Sequence, residues 1–475
     1  MERRRRVELE RRLADAASLP EWRAAAEELD ELDERAAWRA DDDSPSFDAR
    51  LLRRHIGELD QLTARRELGA LEVVLTESLY RNLNEVTAPH LYAHTHTGET
   101  KHVVTDWIDA CVRAMHTLRD TEIPGLDRAA KLRRFQRAYD NLGQTALMLS
   151  GGGAWGLYHL GVVRALRDQA LLPSVICGSS MGAIIASGVC VRRDADLDAM
   201  YEDPQTIHRV AVRLSSPVRA VRDRAALSID QLREHVETNV GGDTFREAFE
   251  RTGRVLNVSV SPTRARQKPR VLSHLTAPDV LVADATVASC AIPGLFPPVA
   301  LRQRLPSGQT APYAETERWV DGSLRGDLPL RQMGRVHNVN HFVVSQANPF
   351  VLPFVARHKQ DPATRAARFV GSLARAQTAA VLDEARRHVV SDRVRPWLDA
   401  AHALTAQHYG GDIDIHPRVP PAQYLRVMSN PSMAQLEDYI LGGERATWPR
   451  LAAIRDQTRI TRELADIVRE LAKPG

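Results

Sequence analysis

Apolar positions recur with a helical period through the first third of the chain, and the pattern changes near residue 144. Trp22, Leu29, Leu32 and Trp38 punctuate a charged stretch over 1–40. Asp41-Asp42-Asp43-Ser44-Pro45 interrupts it and reads as a loop. Leu51, Leu52, Ile56, Leu59 and Leu62, then Leu71, Val74, Leu75 and Leu79, restore the period over 48–83. Residues 102–119 and 127–142 predict two further helices. The first 143 residues therefore read as a helical domain.

From Gln144 onward short apolar runs alternate with amphipathic ones. Residues 145–149 and 173–177 predict strands, 157–169 an amphipathic helix, and 181–191 a helix of small residues. Further strand candidates are 255–260, 319–320 and 342–345, while 196–250 is polar and helix-like. Strands alternating with helices predict a three-layer α/β/α fold with a mostly parallel central sheet. A long Ala/Arg helix over 362–390, an irregular stretch over 409–421 and a final helix over 448–471 follow. The expected division is a helical N-terminal domain (1–143), a catalytic α/β domain (144–349) and a helical C-terminal extension (350–475).

Composition adds exclusions. At 475 residues the chain exceeds what one core usually serves. Hydrophobic residues make up 43% and charged residues 26%, as in an ordinary globular protein. A net charge of +3 offers no basic field for nucleic acid. Cys111, Cys177, Cys190 and Cys290 are widely spaced, without metal or disulfide patterning, which fits a reducing compartment. The basic Met1–Arg6 start leads into more charge, so a secretory leader is not expected. The apolar run 183–191 is too short to span a bilayer. Any contact with lipid would be peripheral, and a cytoplasmic location is expected.

Two motifs carry chemistry. Gly178-Ser179-Ser180-Met181-Gly182 is a G-x-S-x-G between a predicted strand and a small-residue helix. On such a sharp turn the central Ser180 is presented as a nucleophile, with Gly178 and Gly182 allowing the tight turn. Upstream, Gly151-Gly152-Gly153-Ala154-Trp155-Gly156 also lies between a strand and a helix. Its spacing matches a dinucleotide fingerprint, but that use needs a ribose-binding acid at the end of the next strand. That strand ends instead in Gly178-Ser179-Ser180. The loop reads better as an oxyanion hole, with donors near Gly152 and Gly153. Serine and oxyanion donors together imply acyl transfer. The base is open on spacing alone: Asp321, before Gly322 and after a short strand, or a histidine among His337, His341 and His358.

Taken together, LSGGGAWGLYHLGVVRAL (149–166), ICGSSMGAI (176–184), LTAPDVLVADATVASCAIPGLF (275–296), WVDGSLRGDLPL (319–330), VNHFVVSQANP (339–349) and GERATWPRL (443–451) make the chain resemble the patatin-like phospholipases. The likeness is closest to the storage triacylglycerol lipases of fungi and plants, and it extends to the helical region through RNLNEVTAPHLYAHTHTGETKH (81–102). The resemblance implies Ser180 as nucleophile, Asp321 as base in a dyad without histidine, and Gly151, Gly152 and Gly153 as the oxyanion loop. Gly156, Gly178, Met181, Gly182 and Gly322 are implied as structural positions. It further implies a lipid acyl-hydrolase that needs no metal or cofactor and meets a membrane or lipid droplet peripherally. A phospholipase, a lysophospholipase or an acyltransferase would use the same site. A non-catalytic scaffold would be expected to have lost one of the three elements.

Trp155 stands where many patatin-like proteins carry Arg or Lys, which removes a cation expected beside the oxyanion and favours a neutral lipid. His159 reads as a packing histidine and Cys177 as a buried strand residue. Residues 288–296 read as a helix end and a loop, which the resemblance implies is a turn near the site. Two segments could meet lipid: the apolar stretch 348–355, and the basic loop of Arg264, Arg266, Lys268 and Arg270.

Overall fold

The structure, a computed structural model, describes residues 2–80, 86–123, 125–216, 225–264, 267–322, 328–349, 410–417 and 429–473, with Val218, Ala220, Arg222 and Val427 besides. The expected helix over 362–390, residues 350–355 of the apolar stretch, His358 and Arg266 lie outside the described residues.

The helical pattern over 1–40 divides into α1 (Glu2–Asp15), α2 (Leu19–Leu32) and α3 (Arg35–Ala40). Ser18 starts α2 by accepting the Glu21 N–H on its hydroxyl. Glu34 separates α2 from α3 in a left-handed conformation, φ 53°. The stretch over 48–80 is likewise two helices, α4 (Ala49–Arg65) and α5 (Leu68–Tyr80), because Arg66 turns left-handed at φ 55°. Then come α6 (His102–Asp120) and α7 (Arg128–Leu142), close to the expected bounds.

The α/β part runs β1 (Gln144–Leu149), α8 (Tyr158–Asp168), β2 (Val175–Gly178), α9 (Met181–Cys190), α10 (Asp194–Glu202), α11 (Ile229–Val240), α12 (Phe245–Thr252) and β3 (Val255–Pro262). It continues with β4 (Arg270–Leu272), α13 (Val282–Cys290), the hairpin β5 (Arg302–Arg304) and β6 (Thr310–Pro312), β7 (Trp319–Asp321), α14 (Leu330–His337) and β8 (Val339–Ser345). Beyond it are β9 (Ile413–Ile415), α15 (Met433–Thr447) and α16 (Leu451–Ala472).

The sheet has the order β4-β3-β2-β1-β8-β9, with β7 also on β3. The strands β3, β2, β1, β8 and β9 are mutually parallel, and β4 and β7 add antiparallel edges to β3. Alternate residues divide between two packed faces, as the period of two requires. Leu147, Leu149, Ile176 and Val343 join one large core with residues of α8, α9 and α16. Ala146, Met148, Val175, Cys177 and Val344 face a second core that includes Leu328 and Met333. The expected layered α/β/α fold with a mostly parallel sheet is the observed one. One part of the expectation is corrected: residues 413–415 fall in the stretch read as irregular but form the edge strand β9, in register with Val343–Ser345. Three residues after Gly410-Gly411 carry too little periodicity to announce a strand.

The helical region shares the large core rather than standing apart from it. Trp22 meets Trp448 with ring centroids 6.3 Å apart. Helix α16 packs on α6 and α7. Arg455 pairs with Glu99 at 2.9 Å, and the Arg128 guanidinium caps the end of α16 at the Glu470 carbonyl, 2.8 Å away. Helix α15 lies on α8 through two glycines. A Cβ at Gly161 would overlap the Ile440 carbonyl, and one at Gly443 would overlap the Tyr158 carbonyl.

This contact yields a paired expectation. Gly161→Ala forces the helices apart and lowers stability by about 1–3 kcal/mol. Gly442→Ala, with nothing within 4 Å of the added Cβ, gains roughly 0.5–1 kcal/mol from helix propensity. Urea denaturation of the two variants checks both signs.

Candidate active site

Strand β2 ends at Gly178, and the chain turns into α9 with Ser180 at φ 52°, ψ −125°. A non-glycine residue held there costs about 1–3 kcal/mol. Hydrogen bonds fix it from several sides. Ser180 N–H donates to Ser289 Oγ at 3.0 Å, and the Ser180 carbonyl accepts from Ala183 N–H at 2.8 Å. Ser179 N–H donates to the Leu149 carbonyl at 3.1 Å. The flanking glycines are required by close approach. A Cβ at Gly182 would overlap the Leu149 carbonyl, one at Gly178 the Gly182 carbonyl, and one at Gly156 would stand 2.5 Å from Met181 Cγ.

The glycine loop leaves β1 beside this turn. Gly153 has φ +54° and opens a short 3₁₀ turn, Gly153–Leu157, ahead of α8. Ala154 N–H donates to the Val427 carbonyl at 2.8 Å. Among the described residues, neither the Gly152 nor the Gly153 N–H donates to a protein acceptor. Gly151 and Gly152 are buried, and Gly153 lines a cavity with Ser180.

His159 holds this loop from behind. Its Nε2–H donates to the Ser150 carbonyl at 3.0 Å, and its Nδ1 accepts from Ser345 Oγ at 2.7 Å. Complete burial pushes its pKa down to about 4, against a smaller opposing pull from the Ser150 carbonyl. It is a neutral packing residue, as expected. Ser150 Oγ accepts from Ala347 N–H at 2.8 Å and so ties β1 to the end of β8.

Register brings the expected acid to the same level as the serine. Gly178 pairs with Val258 on β3, and Asp321 pairs with Val260, two residues further along. Ser180 lies two residues beyond Gly178. Both therefore stand at the carboxyl ends of the strands, where α/β sheets bind ligands. Asp321 is buried, and its N–H donates to the Ala291 carbonyl at 3.0 Å. Gly322 follows because a Cβ there would overlap the Ser259 carbonyl.

The end of α13 joins the two. Ser289 Oγ accepts from Ser180 N–H and donates to the Ser259 carbonyl at 2.7 Å, while Ala291 holds Asp321. Between them, the Cys290 thiol is pushed well up, first by burial, then by the Asp321 charge, against a hydrogen bond with Ser180. Serine, thiol and carboxylate thus share one neighbourhood. Sequence reasoning placed a turn here but missed Ser289 and Cys290 as its working parts. The signal was the run of small residues Ala288-Ser289-Cys290-Ala291, which lets a helix end approach a turn closely.

The described histidines considered as bases lie elsewhere. His341 pairs with Thr145 near the start of β1, at the opposite end of the sheet, and reaches Gln457 Oε1 at 2.7 Å. His337 precedes β8 and reaches Asn257 Oδ1 at 2.7 Å. Burial, then the neighbouring His274, lowers its pKa to about 4.

The cavity over Ser180 is mostly apolar, with Leu157, Met181, Ile184, Leu232 and Phe296 among its walls. Trp155, singled out in the sequence, does not reach this cavity. That ring is buried at 1% exposure and is absent from the cavity wall, whereas Arg209 lines it. Arg209 Nη1 lies 2.6 Å from Met433 Sδ, and no carboxylate among the described residues pairs with it. The basic loop is also less free than expected: Arg264 pairs with Glu317 at 3.2 Å, and Arg270 lies over the Trp319 ring.

A strained serine elbow, a glycine loop with donors to spare and a buried carboxylate level with them make up an acyl-transfer type of site on an α/β sheet. Residues 147–333 match the family model described as patatin-like phospholipase, and residues 1–140 match a domain of unknown function, DUF3336. "Triacylglycerol lipase ptl3" of Schizosaccharomyces pombe is 30% identical over 472 residues, covering 95% of each chain. "Triacylglycerol lipase SDP1L" of Arabidopsis thaliana is 32% identical over 93% of this chain and 56% of its own length. "Triacylglycerol lipase 4" of Saccharomyces cerevisiae is 30% identical over 93% of this chain and 50% of its own length. The chain thus belongs to the patatin-like phospholipase family, and it spans about half the length of the plant and budding-yeast relatives. No helix among the described residues is long and apolar enough to cross a membrane.

His159, His235 and His337 are all held near 4 from an ordinary 6.5, chiefly by burial. Each takes up a proton on unfolding below pH 6.5. Their contribution to stability is full above that pH and is lost as pH falls toward 4. The unfolding free energy measured in urea should therefore drop between pH 7 and pH 5, with net proton uptake on unfolding in that window.

Proposed function

We propose that this protein is a lipid acyl-hydrolase acting on triacylglycerol. The observation that carries the reading is Ser180 on its positive-φ elbow, opening into an apolar cavity at the level of the buried Asp321. Ser180 Oγ attacks the ester carbonyl while Asp321 takes its proton. The oxyanion is met by the Gly153 N–H, with Gly152 and Gly151 completing the loop and the N-terminus of α8 adding its dipole. Collapse expels the alcohol, which receives the proton from Asp321 and leaves an acyl-serine. Water, deprotonated by Asp321, then releases the fatty acid. The names of the relatives support the triacylglycerol assignment. Arg209 in the cavity wall favours a second reading, hydrolysis of a phospholipid at the same serine.

Access to substrate fits peripheral contact with a lipid surface. Val210, Leu214 and Val218 are exposed at 43%, 78% and 78%, on the segment that supplies Arg209, Ala211 and Val212 to the cavity wall. Such side chains gain roughly 1.5–3 kcal/mol each when removed from water.

Ser180→Ala should lower hydrolysis of emulsified triacylglycerol by up to about 10⁶-fold, and Asp321→Asn by about 10²–10⁴-fold, with folding checked by circular dichroism. Wild-type-like turnover by Ser180→Ala would sink the mechanism. Running triacylglycerol beside phospholipid separates the two substrate readings. Leu214→Asp with Val218→Asp should reduce emulsion binding and emulsion turnover about tenfold or more, leaving turnover of a dissolved short-chain ester within twofold.

A further inference from the structure

His235 stands on α11 at the junction of two cavities. One is the cavity over Ser180; the other lies among Leu160, Ile185, Val189, Met200 and Ile207. Leu157, Ile184 and His235 line both. The second cavity is apolar apart from Arg192, Asn239 and His235, and Arg192 Nη1 is already committed to the Gly188 and Asn239 carbonyls. His235 itself is 3% exposed.

The imidazole has a defined tautomer. Asn239 Oδ1 accepts from His208 N–H at 3.1 Å, so its Nδ2 end is the one turned to His235. Nδ2 donates to the His208 and His235 carbonyls at 2.9 Å each and stands 3.4 Å from His235 Nδ1, so a donor group faces Nδ1 and favours the tautomer with the proton on Nε2. Burial and the neighbouring His208 hold the ring neutral, with a pKa of about 4. Nε2 has no hydrogen-bond partner among the described residues. A buried donor left so carries a desolvation cost that an acceptor on a ligand would recover.

We propose that His235 recognises a second ester of the substrate, Nε2–H donating to its carbonyl oxygen while the attached acyl chain enters the further cavity. The inference rests on the acyl-hydrolase reading of Ser180 and narrows it to lipids carrying two or more acyl esters. An apolar chamber reached past one buried donor fits an acyl chain that begins with a carbonyl. A monoester of a simple alcohol has nothing to offer that donor. His235 would thus be a specificity residue, outside the bond-making steps.

The test compares trioleoylglycerol with ethyl oleate, which share the acyl group, in the same detergent micelles. In His235→Leu the ratio of kcat/KM for trioleoylglycerol to that for ethyl oleate should fall about tenfold, chiefly through KM. His235→Gln, which retains a donor, should hold the ratio within threefold of wild type. Met200→Phe, which fills the further cavity, should lower the same ratio. Equal losses on both substrates, or no loss on either, overturn the assignment. A loss confined to oleoyl-lysophosphatidate and matched by Arg209→Gln would place a phosphate there and overturn the ester form. Equal ethyl oleate hydrolysis by wild type and Ser180→Ala would overturn the reading of the site itself, and this inference with it.

Discussion

Ser180 occupies a backbone conformation that an L-residue adopts only at a cost, and the structure around it is organised to hold it there. The hold comes from three sides. Glycines at 178 and 182 let the strand, the turn and the end of β1 approach within backbone contact. The glycine at 156 admits Met181. Ser289 takes the Ser180 N–H. Relaxing any of these would remove what holds Ser180 at positive φ beside the glycine loop. Stability is given up locally so that geometry is fixed before substrate arrives.

The acid is placed by the same few residues. Asp321 sits on a three-residue strand that would have little persistence alone. It is fixed because β3 pairs with it on one side and the Ala291 carbonyl takes its N–H on the other. The end of α13 therefore works as a spacer between Ser180 and Asp321: one residue binds the serine turn, the next but one binds the acid strand. Cys290, between them, has no freedom to do otherwise than face both.

Much of this was legible in the residues. Strands β1 and β2 are short apolar runs ended by glycine-rich turns, and both motifs fall where strand gives way to helix. That order specifies a parallel sheet with its site at the carboxyl ends. Three things were not legible. Strand β9 has three residues and no period. Ser289 and Cys290 look like any other small residues on a buried helix until the register of β3 and β7 is known. The direction of the Trp155 ring is the third: it is buried, and the cavity wall holds Arg209, 54 residues further along. Side-chain direction on so short a turn depends on a single dihedral, and no pattern of residue types encodes it.

Helix α8 carries the glycine loop at its head, and it is covered on its outer side by α15, whose first residue, Met433, comes some 265 positions after Asp168. A chain leaving the ribosome therefore has its serine turn, its glycine loop and its acid long before it has the helix that seats against Gly161. Until that last segment emerges, the apolar flank of α8 is bare. The fold around the serine turn thus stays uncovered on one flank until residues far downstream have been made.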